Sequence, residues 1–168
     1  VNRLILLLLL FIVIGIFGCG GLSVSSSPQL KLPSTSPVKV VSDYLGSLKK
    51  TDFVRAYEFI SIGYAGSLDK ESYKTNMEQS LIKKYDWSLL NYQIKGVRII
   101  GDQAYVVTEL EVQFKPLNSE KKIQKTIGIQ YILAVLDSKW KIISDECISN
   151  CISPEIFTGK ESGSVDSN

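Results

Sequence analysis

The chain has 168 residues, with 19 Lys and Arg against 17 Asp and Glu, a formal charge of +2 and no histidine. That near balance argues against nucleic acid, which selects a strongly basic face. The missing histidine removes the commonest general base and the commonest metal ligand, and with the leader set aside about 150 residues remain, enough for one domain and its tail.

In chain order, Leu4–Phe17 is an uncharged apolar run behind Arg3, and Gly15, Gly18, Gly20 and Gly21 crowd its end. A basic start, a short apolar core and a small-residue exit are the parts of a secretory signal. A spanning helix needs about 20 apolar residues, more than this run supplies. Its ending, Ile16-Phe17-Gly18-Cys19, resembles the lipobox of bacterial lipoproteins. The resemblance implies a signal peptide over 1–18, acylation of the Cys19 thiol, and a mature chain held by membrane lipid through Cys19. The location implied is the outer side of a cell membrane or outer membrane. Residues 19–35 carry a cluster of Ser and Pro (Ser25, Ser26, Ser27, Pro28, Pro33); such composition builds no core and serves as a solvated tether.

Ser36-Pro37 opens a first helix as cap and first turn, with Val41, Leu45 and Leu48 at helical spacing and Val40 and Tyr44 widening the face. Thr51 is the expected cap of a second helix, with Asp52 in its first turn and Phe53, Ala56, Tyr57 and Ile60 on its apolar stripe. Asp69 is the expected cap of a third, with Tyr73, Met77 and Leu81 one turn apart. The period then changes to two. Strands are expected over Leu90–Ile99 (with Gly96 a bulge), Ala104–Phe114, Lys122–Leu136 and Lys139–Ser144. In the second, Ala104, Val106, Thr108, Leu110, Val112 and Phe114 share one face, the mark of a strand with one buried side. Helices followed by hairpin-linked strands give an α+β fold, the helices covering one face of an antiparallel sheet.

That order, with Pro37, Val41, Tyr44, Leu48, Asp52, Ala56 and Tyr57, then Gly101-Asp102-Gln103-Ala104-Tyr105-Val106 and Ser138-Lys139-Trp140-Lys141-Ile142, resembles the NTF2-like superfamily. It is most similar to the small exported members grouped as DUF4878. The resemblance implies an NTF2-like cone over 36–146, with three N-terminal helices packed on a curved four-stranded antiparallel sheet. It also implies a pocket between helices and sheet, homodimerisation through the sheet, and no single activity.

Tyr44, Tyr57, Tyr92, Tyr131 and Trp140 are the candidates to line the pocket, although aromatics at this spacing also serve as core. Glu109 and Glu111 share a strand face and suit either an acid–base pair or a solvated surface. Residues 147–168 read as a tail containing Cys147-Ile-Ser-Asn-Cys151. That spacing suits a disulfide, free thiols or half of a metal site; zinc wants four ligands, which two cysteines without histidine do not supply. The expectation is a lipid-anchored, non-catalytic module that binds a small hydrophobic ligand or an envelope protein. No cofactor, metal or nucleic acid is expected. The alternatives are a dimeric component of an envelope assembly and an enzyme acting on a small hydrophobic substrate.

Overall fold

The computed structural model describes residues 33–117 and 119–152. The expected leader 1–18, the expected lipidation site Cys19, the expected tether as far as residue 32 and the expected tail from residue 153 lie outside the described residues.

Helix α1 (Pro37–Lys49) starts where a serine side chain meets a proline: Ser36 accepts from the Lys39 amide and Pro37 takes the first turn. Its buried stripe is Val40, Val41, Tyr44, Leu45 and Leu48. Helix α2 (Phe53–Ala56) is a single turn that tightens into a 3-10 turn over Tyr57–Phe59. Asp52, not Thr51, caps it, accepting from the Arg55 amide at 3.0 Å. Thr51 instead turns the corner in the left-handed region, at φ 55°. Helix α3 (Lys70–Met77) is capped by Asp69 and widens into a π-helical turn over Glu78–Lys83. Of its expected stripe only Tyr73 is buried; Met77 and Leu81 are half-buried. The helical part is thus one long helix, one turn-and-a-half and one helix that changes pitch.

Strands β1 (Ser88–Ile100), β2 (Gln103–Phe114), β3 (Ile123–Leu136) and β4 (Lys139–Ser149) form one antiparallel sheet in sequence order. The alternation in β2 emerges intact: Ala104, Val106, Leu110, Val112 and Phe114 are buried. Thr108 is buried with them because its hydroxyl donates to the Ile129 carbonyl at 3.0 Å, which removes the penalty for an unpaired hydroxyl. Register shifts at Ile94/Gly96 in β1 mark the expected bulge.

Two features of β4 differ from the expectation. The strand runs on to Ser149, beyond Ser144, so Cys147 lies on the sheet opposite Ile129 and is joined to Cys151 by a disulfide, Cα atoms 5.8 Å apart. The pairing with β3 also skips a residue: Leu133 faces Ile142 and Ile132 faces Ser144, leaving Ile143 as a bulge. The outer edge of β4 is then met by Ile60, which bridges to Ile142 in parallel, while the Ser61 amide donates to the Ile142 carbonyl at 2.8 Å.

The capping assignment is testable by urea denaturation. Asp52→Ala is expected to cost about 1 kcal/mol. Thr51→Gly should cost nothing or stabilise, because a left-handed β-branched residue is relieved. A larger loss from Thr51→Gly than from Asp52→Ala would return the cap to Thr51.

Candidate functional site

Phenols cluster in the largely aliphatic interior between helices and sheet. Tyr44 of α1 and Tyr131 of β3 meet edge to face, centroids 5.9 Å apart, and both are buried. Tyr73 of α3 lies against Tyr57, centroids 5.6 Å apart, and the Tyr57 hydroxyl donates to the Leu68 carbonyl at 2.9 Å. The rim of this cluster is closed from β4. Its skipped residue puts Asp145 opposite Tyr131, on the inner face with Trp140 and Ile142, whereas unbroken alternation would have given that face to Ser144. Asp145 stays exposed and accepts from the Tyr64 hydroxyl at 2.5 Å.

Burial is the main cause that pushes the Tyr44, Tyr64 and Tyr131 phenols above their ordinary range, and the Asp145 charge adds to it for Tyr64 and Tyr131. Such phenols stay protonated, and the Tyr64 hydroxyl is the one that donates to Asp145. Among the described residues no group of three Asp, Glu or Cys side chains is placed to hold a metal ion.

Among the described residues, open volume lies beside this cluster. A cleft of about 780 Å³ wraps the start of β4, between the 3-10 turn and the β3–β4 hairpin. Its apolar wall is Val40, Tyr57, Phe59, Ile60, Ile62 and Trp140. Because it wraps a sheet edge, residues from both strand faces reach it, and Lys139 and Lys141 line it alongside Trp140. Arg55, Lys70 and Glu58 complete the polar part. Glu58 is the hub: its carboxylate pairs with Arg55 and with Lys70 at 3.3 Å, and its carbonyl accepts from the Lys141 ammonium. The hydrogen bond from Lys70, with help from Arg55, holds the Glu58 carboxyl below its usual range. Burial and then repulsion by Lys139 push Lys141 down, opposed by Glu58 and Asp137. The Arg55 guanidinium sits 5.0 Å above the Phe59 ring, a cation–π contact.

The five aromatic candidates therefore separate. Tyr57 and Trp140 line the cleft, Tyr44 and Tyr131 fill the interior, and Tyr92 lies under α1, its hydroxyl donating to the Ser42 carbonyl at 3.1 Å. Glu109 is paired with Lys95 at 3.3 Å, and Glu111 accepts from Gln124; both are on the opposite sheet face. Sequence reasoning missed Tyr64 and Asp145, which a bulge and a loop bring together, and Arg55, Glu58 and Lys141, which the Ile60 bridge brings together. The alternation Lys139-Trp140-Lys141 at a strand start is the one local signal that could have marked the cleft.

No protein-family model and no curated protein matches this chain. Among solved structures, it is similar to an NTF2-like protein of unknown function in nutrient uptake from Rhodospirillum rubrum. The TM-score is 0.51 at 13% identity, over 67% of this chain and 97% of that one. It is also similar to a ketosteroid isomerase-like protein from Erwinia carotovora atroseptica, with TM-score 0.50 and 13% identity, over 67% and 93% of the two chains. At that identity the likeness concerns the fold: an α+β, NTF2-like sheet covered by helices on one side.

The phenol cluster makes stability fall in alkali. Above the ordinary phenol value of 10.0 the unfolded chain sheds protons that the folded chain keeps, so the free energy of unfolding drops as pH rises. The urea midpoint should decline from about pH 9.5 upward, and Tyr131→Phe should make that decline shallower. An unchanged slope in Tyr131→Phe would contradict the assignment.

Proposed function

We propose that this chain is a lipid-anchored, extracytoplasmic binding module that holds a small ligand in the cleft beside Trp140 and does no chemistry on it. The observation that carries the reading is the cleft beside the phenol cluster, an open volume of about 780 Å³ with an aromatic wall and convergent polar side chains. Pockets of several hundred Å³ with apolar walls and a few convergent polar groups are the usual form of small-ligand sites. Tyr57, Phe59 and Trp140 supply the flat apolar surface, and Arg55, Lys70, Lys139 and Lys141 supply orientation.

The anchor belongs to the same proposal. Its support is the lipobox resemblance at Cys19. Pro33, Ser34 and Thr35 line the cleft, so the segment leading from the proposed anchor reaches the domain at the site. A flexible spacer from Cys19 to Pro33 has an r.m.s. span of about 20 Å, which keeps the cleft near the membrane surface. Two acyl chains suffice for stable anchoring, at about 0.8 kcal/mol per buried CH2. Membership in the DUF4878 group and pairing of two copies through the sheet remain part of this reading; Val97, Ile99 and Ile100, exposed at the hairpin end of β1, support the second.

An enzyme is the second reading, and one contact favours it: Asp145 beside Tyr64 and Tyr131 is a carboxylate with phenol donors around it. Against it, Asp145 is exposed, whereas a catalytic carboxyl is usually tuned by burial.

Native mass spectrometry of the protein released from its own membrane tests the proposal. The expected species lacks residues 1–18, carries acyl groups on Cys19 and retains a small ligand that Phe59→Ala loses while keeping the acyl groups. An unacylated chain in the soluble fraction would contradict the anchor, and a ligand-free chain in both variants would contradict the binding role.

A further inference from the structure

The cleft's charge is more specific than a binding surface requires. Arg55, Lys70, Lys139 and Lys141 face one carboxylate, Glu58, although the whole chain carries only +2. Glu58 already pairs with Arg55 and Lys70, so neither Lys139 nor Lys141 makes an ion pair with a carboxylate among the cleft residues; Lys141 reaches the Glu58 carbonyl and feels the charges of Glu58, which two other cations share, and of Asp137. Lys141 is also partly shielded from water, which makes an uncompensated ammonium there unfavourable. The hairpin that presents these lysines is itself strained. Asp137 and Ser138 both have positive φ, 50° and 61°, in a two-residue turn that favours Asn-Gly, and Ser138 is among the residues lining the cleft. Backbone strain of this kind tends to collect beside binding sites.

From the cluster of separate cations, the aromatic wall and the cleft's shape, we infer that its ligand carries a phosphoryl group on an apolar body. This rests on the binding reading above and names its ligand class. A phosphate offers several acceptor oxygens and up to two negative charges, which suits dispersed point charges such as three lysines. A single carboxylate would leave part of the cluster unpaired. The apolar body lies along Phe59 and Trp140, and the phosphoryl group sits between Lys139, Lys141 and the pair of cations on Glu58. Glu58 then competes with the ligand for Arg55 and Lys70. Two sources offer this chemistry: a soluble phosphate ester, and the headgroup of an anionic phospholipid in the membrane that holds the chain.

The test is lysine acetylation footprinting of the full chain, read by mass spectrometry at Lys70, Lys139 and Lys141, with Lys95 and Lys125 outside the cleft as controls. In detergent, 1-naphthyl phosphate should slow acetylation of the three cleft lysines, and 1-naphthol should not. Lys139→Gln and Lys141→Gln should each weaken 1-naphthyl phosphate about threefold to tenfold. Glu58→Gln should tighten it, a sign that a purely structural ion cluster would not give. In vesicles, protection by phosphatidylglycerol in phosphatidylcholine, absent from phosphatidylcholine alone, assigns the lipid source; protection by 1-naphthyl phosphate but not by phosphatidylglycerol assigns the soluble one. Equal protection by 1-naphthol overturns the phosphoryl inference and leaves the binding reading standing. No protection by either phosphate, or weaker binding in Glu58→Gln, overturns the inference as well, and the binding reading is then decided separately by the ligand retained in native mass spectrometry.

Discussion

The structure depends on how the free edge of β4 is closed. A sheet edge presents unpaired backbone groups, and folds that leave it open invite association. Here the chain's own segment after the 3-10 turn covers part of that edge: Ile60 bridges to Ile142, and the Ser61 amide reaches the Ile142 carbonyl. Both isoleucines are buried, so the short backbone contact is backed by apolar burial of about 1.5–3 kcal/mol per side chain. That single crossing point fixes what stands on either side of it. N-terminal to it, Glu58 and Phe59 are set against Lys141 and Trp140. C-terminal to it, Tyr64 is carried to Asp145. The cleft and the rim of the phenol cluster flank one docking point.

The two regions divide the chemistry between them. Phenols that face the sheet meet one another and are kept dry, which holds them protonated and makes them packing elements with satisfied hydroxyls; among the described residues no buried side-chain polar atom is left unpaired. Cations that face the cleft are only partly shielded and outnumber the carboxylates. Tyr44 and Tyr131 pack on each other in the interior, and the cations gather outside it, at the cleft. This separation explains why aromatic residues that look equivalent in sequence, such as Tyr131 and Tyr57, have different surroundings.

How much of this was legible follows from the range of the interactions. The buried face of β2 was readable because a strand's alternation is local and Ala104 to Phe114 contains no bulge. The start of α1 was readable because Ser36 and Pro37 act within one turn. The cap at residue 52 was misread by one position, since Thr and Asp are both good caps and only the backbone at Thr51 decides between them. The bulge at Ile143 left no mark in composition, yet it moves Asp145 to the inner face and continues the strand through Cys147. Ile60 looked like the end of a helical stripe; its partner is eighty-two residues away along the chain, and no local pattern encodes such a pairing. The rest of the cleft was hidden for the same reason: nothing local sets Arg55, Glu58 or Lys70 apart until the folded chain gathers them.

The central claim is that the docking at Ile142 forms the cleft before any ligand arrives. Native-state hydrogen exchange of the Ser61 amide in the ligand-free protein tests it most directly. A docked segment predicts protection close to that of amides in β2 and β3, because opening it would expose Ile60 and Ile142 together. Exchange at the rate of an open loop, with the sheet amides still protected, would contradict the claim.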